Sequence, residues 1–436
     1  MKLIKNVKIP ANLLCQCEAG KYKDNEFLIR DIVFDKNEII QIGTDVPVSE
    51  GCEIISGKGL VALPGLIDVH VHLREPGNEK KETIKTGTMA AAAGGMTTIM
   101  AMPNVFPFPD NVETIKEYQK LIDKEAVVNV IPYSCITQKE GGEQVVDMAA
   151  IKELGYRAFS DDGVGVQTDG IMEKAMEKSA ELGVMIVAHT EDMTYRKPKA
   201  CINEGAKAKE LGLIGIPNEC EYKQFERDLK LVEKTGAHYH CCHMSAKESV
   251  ELLREYKAKG LDVSGEATCH HLILTEDDIE GTNWKMNPPL KTTEDRRALI
   301  DAIKDGTITI IANDHAPHTE EEKAKSMEEA PFGIVTIESA FSLLYTHLVK
   351  TGEITLVELV RLMSENPANR FGMERKGVLK EGFASDIILV DLDNEFVIDK
   401  EKFYSKGRNT PFHGWKCYGR VKQTFVNGIS VYKEEN

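Results

Sequence analysis

Between about Leu60 and Arg370, short apolar runs rich in β-branched residues alternate with longer stretches whose apolar residues recur at helical spacing. Repeated βα units produce this alternation. Eight strands with interleaved helices predict a TIM-like (β/α)8 barrel, whose active site lies at the carboxyl ends of the strands. The eight apolar runs are Leu63–Val71, Met96–Met102, Val127–Tyr133, Tyr156–Ser160, Val184–His189, His238–His243, Asp262–Thr268 and Thr307–Asn313.

The stretches between these runs predict the helices of the barrel. Glu82–Ala93, Asn111–Ile122 and Met172–Leu182 carry apolar residues at helical spacing. A glycine follows two of them, Gly94 in one case and Gly183 in the other, and glycine commonly ends a helix.

The two ends of the chain have a different pattern. Their segments are short and alternate apolar with polar residues, and an Asn427-Gly428 turn signal lies among the later ones. This pattern is typical of antiparallel strands. The clearest segments are Phe27–Phe34, Ile387–Leu392 and Val421–Val431.

The two patterns together predict an α/β protein with two domains. Residues 61–370 are expected to form the barrel. Residues 1–60 and 371–436 are expected to form one small β-sandwich domain built from both chain ends. A chain of 436 residues is too long for most single cores, which agrees with a large domain carrying a smaller one.

Composition and charge narrow the range of possible functions. An apolar fraction of 42% and a charged fraction of 28% are ordinary for a globular protein. The net charge of −16, with no basic patch, argues against a nucleic-acid or membrane partner and favours a small polar substrate. Met1–Pro10 lacks the apolar stretch of a signal peptide and no later segment could span a bilayer, so a cytoplasmic location is expected.

The strongest chemical signal is the sequence DVHVHLREPG at Asp68–Gly77. Alternate residues of a strand share one face, so His70 and His72 could hold one metal ion. An isolated His-x-His pair is weak evidence, because histidines also occur as satisfied core or surface residues. Further imidazoles and a carboxylate at the same barrel mouth strengthen the prediction of a metal site. These residues end later apolar runs and are His189, His243 and Asp314.

The motifs resemble those of the cyclic amidohydrolases, and within them the bacterial class I dihydroorotases, over essentially the whole chain. Together they are specific, although each alone is not. The matching stretches are DVHVHLREPG, MPN at Met102–Asn104, FSDDGVGVQ at Phe159–Gln167, AHTED, CHMS, MNPPL at Met286–Leu290, NDHAPH and APFGI at Ala330–Ile334.

The resemblance implies two zinc ions per subunit. Many relatives bridge the ions with a carbamylated lysine, but this chain has Asp161 and Asp162 at that place, and the motif favours Asp162. Activity should then be independent of carbon dioxide, and the short reach of aspartate would weaken the second site. Asp161 is also readily explained as a turn residue. The implied ligands are His70, His72 and Asp314 for one ion, His189 and His243 for the other, and Asp162 between them.

The implied reaction is the reversible cyclisation of N-carbamoyl-L-aspartate to (S)-dihydroorotate and water, the third step of de novo pyrimidine (UMP) biosynthesis. A metal lowers the pKa of bound water to about 7, which supplies a nucleophile for the amide carbonyl at neutral pH. Asp314 would act as the catalytic residue that accepts the proton of this water and passes it to the ring nitrogen.

Substrate recognition is assigned mainly to Arg74, whose guanidinium could hold the substrate carboxylate bidentately. The alternative for Arg74 is a surface salt bridge. For Asn104 and Asn287 the alternative is capping or turn duty. By resemblance the substrate-binding residues are His72, Arg74, Asn104, Asn287 and His318, with backbone contacts from Phe332 and Gly333.

Other histidines are left outside the site. Strand alternation points His315 away from Asp314, to the opposite face. His240, His270 and His271 have no clear place in the motifs and are interpreted as structural.

Two other functions are compatible with the same motifs. A hydantoinase or allantoinase would share the metal layout, although the matching allantoinase motif usually has Asn where this chain has Arg74. A non-catalytic partner of aspartate carbamoyltransferase would typically have lost metal ligands that this chain retains. A nucleic-acid-binding module agrees least with the acidic charge. The resemblance also implies a homodimer and leaves open an association with aspartate carbamoyltransferase.

Overall fold

The structure is a computed structural model that describes residues 1–14, 23, 26–47 and 50–435. Its strands are β1 (Lys2–Pro10), β2 (Phe27–Phe34), β3 (Ile39–Gly43), β4 (Glu53–Ser56), β5 (Val61–Pro64), β6 (Leu66–Val71), β7 (Met96–Ala101), β8 (Asn129–Pro132), β9 (Ala158–Phe159), β10 (Met185–Ala188), β11 (Ile202–Asn203), β12 (Gly215–Ile216), β13 (His238–Cys241), β14 (Val263–Thr268), β15 (Ile310–Ala312), β16 (Ile387–Asp391), β17 (Phe396–Val397), β18 (Lys416–Cys417), β19 (Arg420–Val426) and β20 (Ile429–Lys433).

Most helices lie between the strands of the central region. They are α1 (Ala11–Leu14), α2 (Ile84–Ala93), α3 (Val112–Glu125), α4 (Met148–Glu153), α5 (Asp169–Leu182), α6 (Ala206–Leu211), α7 (Glu219–Thr235), α8 (Lys247–Ala258), α9 (Cys269–Ile273), α10 (Thr293–Lys304), α11 (Glu320–Lys323), α12 (Ala340–Leu344), α13 (Leu356–Met363) and α14 (Glu365–Arg370).

Eight parallel strands form the barrel. They pair in the orders β6-β7-β8 and β9-β10-β13-β14-β15. Parallel bridges join the two groups, from Ser134 to Phe159 on one side and from Val71 to His315 on the other. Each of the eight predicted runs contains one of these strands, so the predicted fold class is confirmed.

The first predicted run was wrong in one respect, because Leu63–Val71 contains the end of β5 as well as the whole of β6. β5 pairs with β1 and β16 in another sheet, and the barrel strand β6 begins at Leu66. Gly65 separates them at a point of close packing, where a Cβ atom would lie 2.1 Å from Thr97 Oγ1. A continuous apolar run hides this change of sheet, because both strands are buried.

The predicted helices begin and end within a few residues of the observed ones. α2 starts at Ile84 because the Thr83 side chain accepts a hydrogen bond from the Thr86 amide and caps the helix. The Asn111 side chain caps α3 in the same way. Gly183 ends α5 in the left-handed conformation, with φ of 63°.

The chain ends share one eight-stranded sheet in the order β20-β19-β16-β5-β1-β2-β3, with β4 also paired to β1. β19 and β20 form a hairpin whose two-residue turn is Asn427-Gly428, with φ of 46° and 70°. The expectation of antiparallel strands was wrong for two pairs, because β1 is parallel to both β4 and β5.

An apolar core within this sheet draws on both ends of the chain. Ile9, Phe34, Leu389 and Phe425 are all buried in it. The rings of Phe34 and Phe425 meet edge to face, with their centroids 5.3 Å apart. A larger core surrounds the barrel strands and also includes residues of this sheet, such as Leu63, Ile388 and Val421. Among the described residues, no helix has the length and apolar character that a bilayer crossing requires.

Candidate metal centre and active site

The candidate metal ligands all lie at or just past the carboxyl ends of barrel strands. His70 is on β6 and His72 directly follows it, while His189 follows β10. The remaining ligands follow β9, β13 and β15, and they are Asp162, His243 and Asp314. All six are at least 94% buried. The barrel therefore brings residues that are distant in sequence into one cluster.

Asp162 lies at the middle of this cluster. Its Oδ1 is 3.4 Å from His70 Nε2, 3.6 Å from His243 Nε2 and 3.7 Å from His189 Nδ1. Its Oδ2 is 3.5 Å from His72 Nε2. One carboxylate thus faces four imidazoles, which is the arrangement that a shared ligand requires.

Asp314 approaches the cluster from β15. Its Oδ1 is 3.1 Å from His72 Nε2 and 3.6 Å from His70 Nε2. Burial disfavours its charge, but the hydrogen bond from His72 and the charge of His70 outweigh burial and hold the pKa of Asp314 well below its ordinary value. The side chain is therefore an ionised carboxylate.

Asp161 has a different surrounding from its neighbour Asp162. Its carboxylate accepts hydrogen bonds from the Ile136 amide at 2.8 Å, the Thr137 amide at 3.0 Å and the Thr137 hydroxyl. These hydrogen bonds hold the segment that follows β8 against the end of β9. The structure thus gives Asp161 a local structural role and places Asp162 in the cluster.

The donor set fits a metal cofactor. Among the described residues, the buried atoms His70 Nε2, Asp162 Oδ1 and His243 Nδ1 have no hydrogen-bond partner, and such burial is costly unless something satisfies it. In the part of the chain that the structure describes, three groups of three have ligand atoms within 4.8 Å of one another, and two of them include Asp162. Imidazole with carboxylate suits zinc and similar ions. The two groups with Asp162 are His70, His72 and Asp162, and Asp162, His189 and His243, while the third is His70, Cys242 and Glu266.

Glu266 supports the first group from behind, and sequence reasoning missed it. This buried carboxylate on β14 lies 2.8 Å from His70 Nδ1 and 3.0 Å from His240 Nε2, and it accepts the His243 amide at 3.2 Å. Partners of this kind orient the histidines that bind metals. The signal was a charged residue inside an otherwise apolar and small-residue strand. His240 is part of this support, in line with its structural interpretation.

Glu191 supports the second group and was also missed. Its Oε2 lies 3.2 Å from His189 Nε2 and accepts a hydrogen bond from Asn287 Nδ2 at 2.9 Å. Its other oxygen forms an ion pair with Arg196. The motif AHTED contains Glu191, but nothing in the sequence indicates that the Arg196 side chain forms an ion pair with it.

A cavity of about 260 Å³ opens directly above the cluster. Its size suits a single-ring ligand, since the pockets that bind drug-sized ligands have volumes of roughly 300–1,000 Å³. All the predicted substrate-binding residues line it, together with the missed Arg196. The predicted ones are His72, Arg74, Asn104, Asn287, His318, Phe332 and Gly333.

Within this lining, His72 Nδ1 lies 2.9 Å from Asn104 Oδ1, so Asn104 also orients a candidate metal ligand. Arg74 has a φ of 61° and its Nε donates to the Pro317 carbonyl at 3.4 Å. The guanidinium belongs to the cavity wall rather than to an exposed salt bridge.

The wall around His318 is closed by internal hydrogen bonds. His318 Nε2 donates to the Phe332 carbonyl at 2.7 Å. Burial, with the nearby Arg74, lowers the pKa of His318 to about 2, so the ring is neutral. The Gly333 amide donates to the Lys285 carbonyl at 2.9 Å. The Gly333 carbonyl accepts hydrogen bonds from Lys323 and Asn409, each at 3.0 Å. The backbone contact of Gly333 with the substrate stays a prediction.

The remaining histidines lie apart from the cluster. His315 turns its ring towards Glu82, with 3.5 Å between Nε2 and Oε2, as strand alternation predicts. His271 Nε2 donates to the Pro288 carbonyl at 3.0 Å, and His270 is buried beside it.

Solved structures share this fold. An L-hydantoinase (dihydropyrimidinase) from Arthrobacter aurescens superposes with a TM-score of 0.86 at 25% identity, covering 100% of this chain and 96% of that one. A dihydropyrimidinase from Brevibacillus agri superposes with a TM-score of 0.83 at 23% identity, covering 99% and 95%. Fold and site together define an amidohydrolase, an enzyme that hydrolyses cyclic amides.

Sequence relatives narrow this class. Residues 59–249 match a family model described as Dihydro-orotase-like. A dihydroorotase from Bacillus cytotoxicus is 50% identical over 421 residues, covering 96% of this chain and 98% of that protein. One from Staphylococcus aureus is 50% identical over 430 residues, covering 98% of each. The chain belongs to the dihydroorotase family, which confirms the resemblance seen in its motifs.

Proposed function

We propose that this chain catalyses the reversible cyclisation of N-carbamoyl-L-aspartate to (S)-dihydroorotate and water in pyrimidine biosynthesis. The observation that carries the proposal is one cavity in which Arg74 lies above a buried cluster of imidazoles and carboxylates. The relatives named dihydroorotase, 50% identical over nearly the whole chain, support the same reaction.

The metal cofactor that we propose is zinc, with two ions per subunit, and Asp162 would be available to both. His70, His72 and Asp314 would hold one ion, and His189 and His243 the other. The second ion would be held more weakly, because an aspartate is shorter than a carbamylated lysine. Zinc, when bound, acts as a Lewis acid that polarises a carbonyl and makes water acidic. The unpartnered His70 Nε2 and Asp162 Oδ1, which face each other at 3.4 Å, support this assignment.

Asp314 moves the proton. Its ionised Oδ1, 3.1 Å from His72 Nε2 at the cavity floor, accepts a proton from the attacking water during ring opening. The same oxygen then gives this proton to the departing ring nitrogen. Cyclisation runs through these transfers in reverse.

Arg74 selects the substrate by its charge. A guanidinium holds a carboxylate through two parallel hydrogen bonds, and neutral hydantoin has no carboxylate to offer. Asn104 and Asn287 recognise the carboxylate and the ring from positions fixed by His72 and Glu191. His318, Phe332 and Gly333 complete the wall that faces the substrate. The absence of a side chain at Gly333 leaves room for the His318 ring to reach the Phe332 carbonyl.

The organisation around this site is proposed from the resemblance. The boundary expected at residue 61 moves to 65, because β5 pairs with β1 and β16. The proposed barrel is therefore 65–370, and the proposed smaller β domain combines 1–64 with 371–436. The enzyme is a cytoplasmic homodimer. Size-exclusion chromatography with light scattering tests the dimer, and the same measurement after mixing with aspartate carbamoyltransferase tests the association that the resemblance left open.

The decisive experiment compares substrates. Purified protein is mixed with dihydroorotate, hydantoin or allantoin, and the ultraviolet absorbance of each is followed with and without a chelator. We expect loss of dihydroorotate alone, abolished by the chelator and restored by zinc, with elemental analysis giving the zinc content. Faster turnover of hydantoin would contradict the proposal. Arg74→Met should lose dihydroorotate turnover and keep its zinc.

A further inference from the structure

Two lysines lie buried behind one wall of the cavity. Lys285 is 1% exposed and Lys323 is 5% exposed. A buried ammonium is costly unless its protons find acceptors. In both cases the acceptors are main-chain carbonyl oxygens.

Lys323 belongs to α11, and its Nζ reaches across the segment 317–333, here named the rim loop. It donates to the carbonyls of Lys285 at 3.3 Å, Pro331 at 3.1 Å and Gly333 at 3.0 Å. An ammonium has three protons and no acceptor, so the three carbonyls account for all of them.

Lys285 lies two residues before Asn287, and its Nζ reaches in the opposite direction, into the rim loop. It donates to the carbonyls of Met327 at 2.6 Å, Glu328 at 3.3 Å and Ala330 at 2.5 Å. The two lysines therefore supply six hydrogen bonds to the backbone on both sides of one boundary.

That boundary separates two parts of the cavity wall. Asn287 lies on one side, and the rim loop with His318, Phe332 and Gly333 lies on the other. The Gly333 amide also donates to the Lys285 carbonyl at 2.9 Å. The bonds that cross the boundary join the rim loop to the Lys285 side chain and carbonyl, and they limit its movement relative to Asn287. The bonds from Lys323 to Pro331 and Gly333 join two parts of the rim loop itself.

The aromatic ring of the rim loop, Phe332, lies close to two cationic side chains. Lys285 Nζ lies 4.3 Å from the centroid of the Phe332 ring, and Arg196 Cζ lies 4.8 Å from it. Arg196 pairs with Glu191, which contacts His189. The lysine contacts thus extend to the candidate metal cluster.

We propose that Lys285 and Lys323 are positioning residues that join the rim loop to the Asn287 segment and so build the substrate cavity before substrate arrives. This inference rests on the proposed function for the identity of the substrate. Neither lysine touches the substrate, and the effect of each passes through the residues it holds.

The test removes each ammonium and keeps its apolar stem. Lys285→Met and Lys323→Met are compared with Lys325→Met, an exposed lysine of the same loop. Burial and the nearby Lys285 lower the pKa of Lys323 to about 7, so the assays are run near pH 6, where the ammonium is charged. We expect the KM for N-carbamoyl-L-aspartate to rise about tenfold to a hundredfold, with kcat within about threefold and zinc content unchanged.

An unchanged KM in both buried variants would overturn the proposal. An equal rise in the KM of the Lys325→Met control would overturn it as well. If the variants do not fold, hydrogen exchange in the wild-type protein decides. We expect the Gly333 amide to be protected without substrate, and rapid exchange there would overturn a preformed cavity. Hydrogen exchange does not require turnover, so it tests the preformed cavity independently of the reaction. A wild-type enzyme that fails to process dihydroorotate would contradict the proposed function and not this inference.

Discussion

The mouth of the barrel and the sheet of the chain ends use strained backbone differently. At the mouth, functional residues that are not glycine have positive φ, namely 28° at His243, 46° at Asp314 and 61° at Arg74. In the sheet, the sharp turn of the terminal hairpin uses Asn427 and Gly428, residue types that adopt this conformation at low cost. Strain at the mouth is held in place by the surrounding fold, as is typical of functional sites.

The two regions also differ in what fills them. Aromatic and aliphatic side chains such as Phe34 and Phe425 fill the sheet. At the mouth, buried imidazole and carboxylate atoms lack partners among the described residues. Substitutions in the sheet should therefore change stability and spare the chemistry, whereas substitutions of the cluster and of the cavity wall should change activity or substrate binding.

The largest effect is expected for Asp162→Asn. Loss of an outer partner of a metal ligand costs about 10- to 100-fold, so loss of the shared ligand should lower kcat/KM at least about 100-fold and reduce zinc content. Steady-state kinetics and elemental analysis measure both quantities. Asp161→Asn is the control, and it should lower the melting temperature and keep the zinc. A fully active Asp162→Asn enzyme would remove Asp162 from the metal centre.

In the sheet, Phe425→Ala should lower the free energy of unfolding by about 3–5 kcal/mol, because it leaves a cavity against Phe34. Chemical denaturation measures this loss. The kcat of the folded enzyme should stay at the wild-type value, and a parallel fall in kcat would show that the two regions are coupled.

A third test uses pH and a buried aspartate outside the mouth. Burial raises the pKa of Asp228 from 3.8 to about 6, although Arg227 and Tyr239 favour its charge. A raised pKa adds stability below about pH 4, and this stability is lost as the pH rises through 6. The free energy of unfolding of Asp228→Asn, relative to that of the wild type, should rise by up to about 3 kcal/mol between pH 4 and pH 7. Urea denaturation at each pH measures the difference, and a constant difference would refute the raised pKa.

The smallest effects come from a matched pair of glycines. A Cβ at Gly333, which has φ of 126°, would lie 2.6 Å from Ala316 Cβ. A Cβ at Gly428, with φ of 70°, would lie 2.0 Å from the Asp35 carbonyl oxygen. Each alanine substitution should lower the free energy of unfolding by about 1–3 kcal/mol, because it forces a strained backbone or a close contact. Only Gly333→Ala should also raise KM, and a raised KM in Gly428→Ala would contradict the separation of the two regions.

Sequence alone predicted the barrel because each strand is a short apolar run, and periodicity detects such runs directly. It failed where two buried strands adjoin at Gly65, since burial on both faces removes the alternation that would separate them. In the terminal hairpin, by contrast, Asn427-Gly428 indicated the turn because few residues tolerate its conformation.

The candidate ligands could be predicted because each one ends a strand within a recognisable motif. Glu266 was marked only by its charge within a strand of apolar and small residues, and its partner His70 is distant in sequence. Glu191 lies near His189 and Arg196 in sequence, but nothing in the sequence indicates that the three side chains meet. Lys285 and Lys323 gave no signal at all. Their acceptors are main-chain carbonyls, which leave no trace in the identity of a residue.

The position of β5 has a consequence for synthesis on the ribosome. β5 lies between β1 and β16, yet β16 is translated after the entire barrel. One edge of β5 therefore keeps bare amide and carbonyl groups while most of the polypeptide emerges, and such an edge invites pairing with other chains. Nascent chains halted before Ile387 should be the ones that depend most on chaperones.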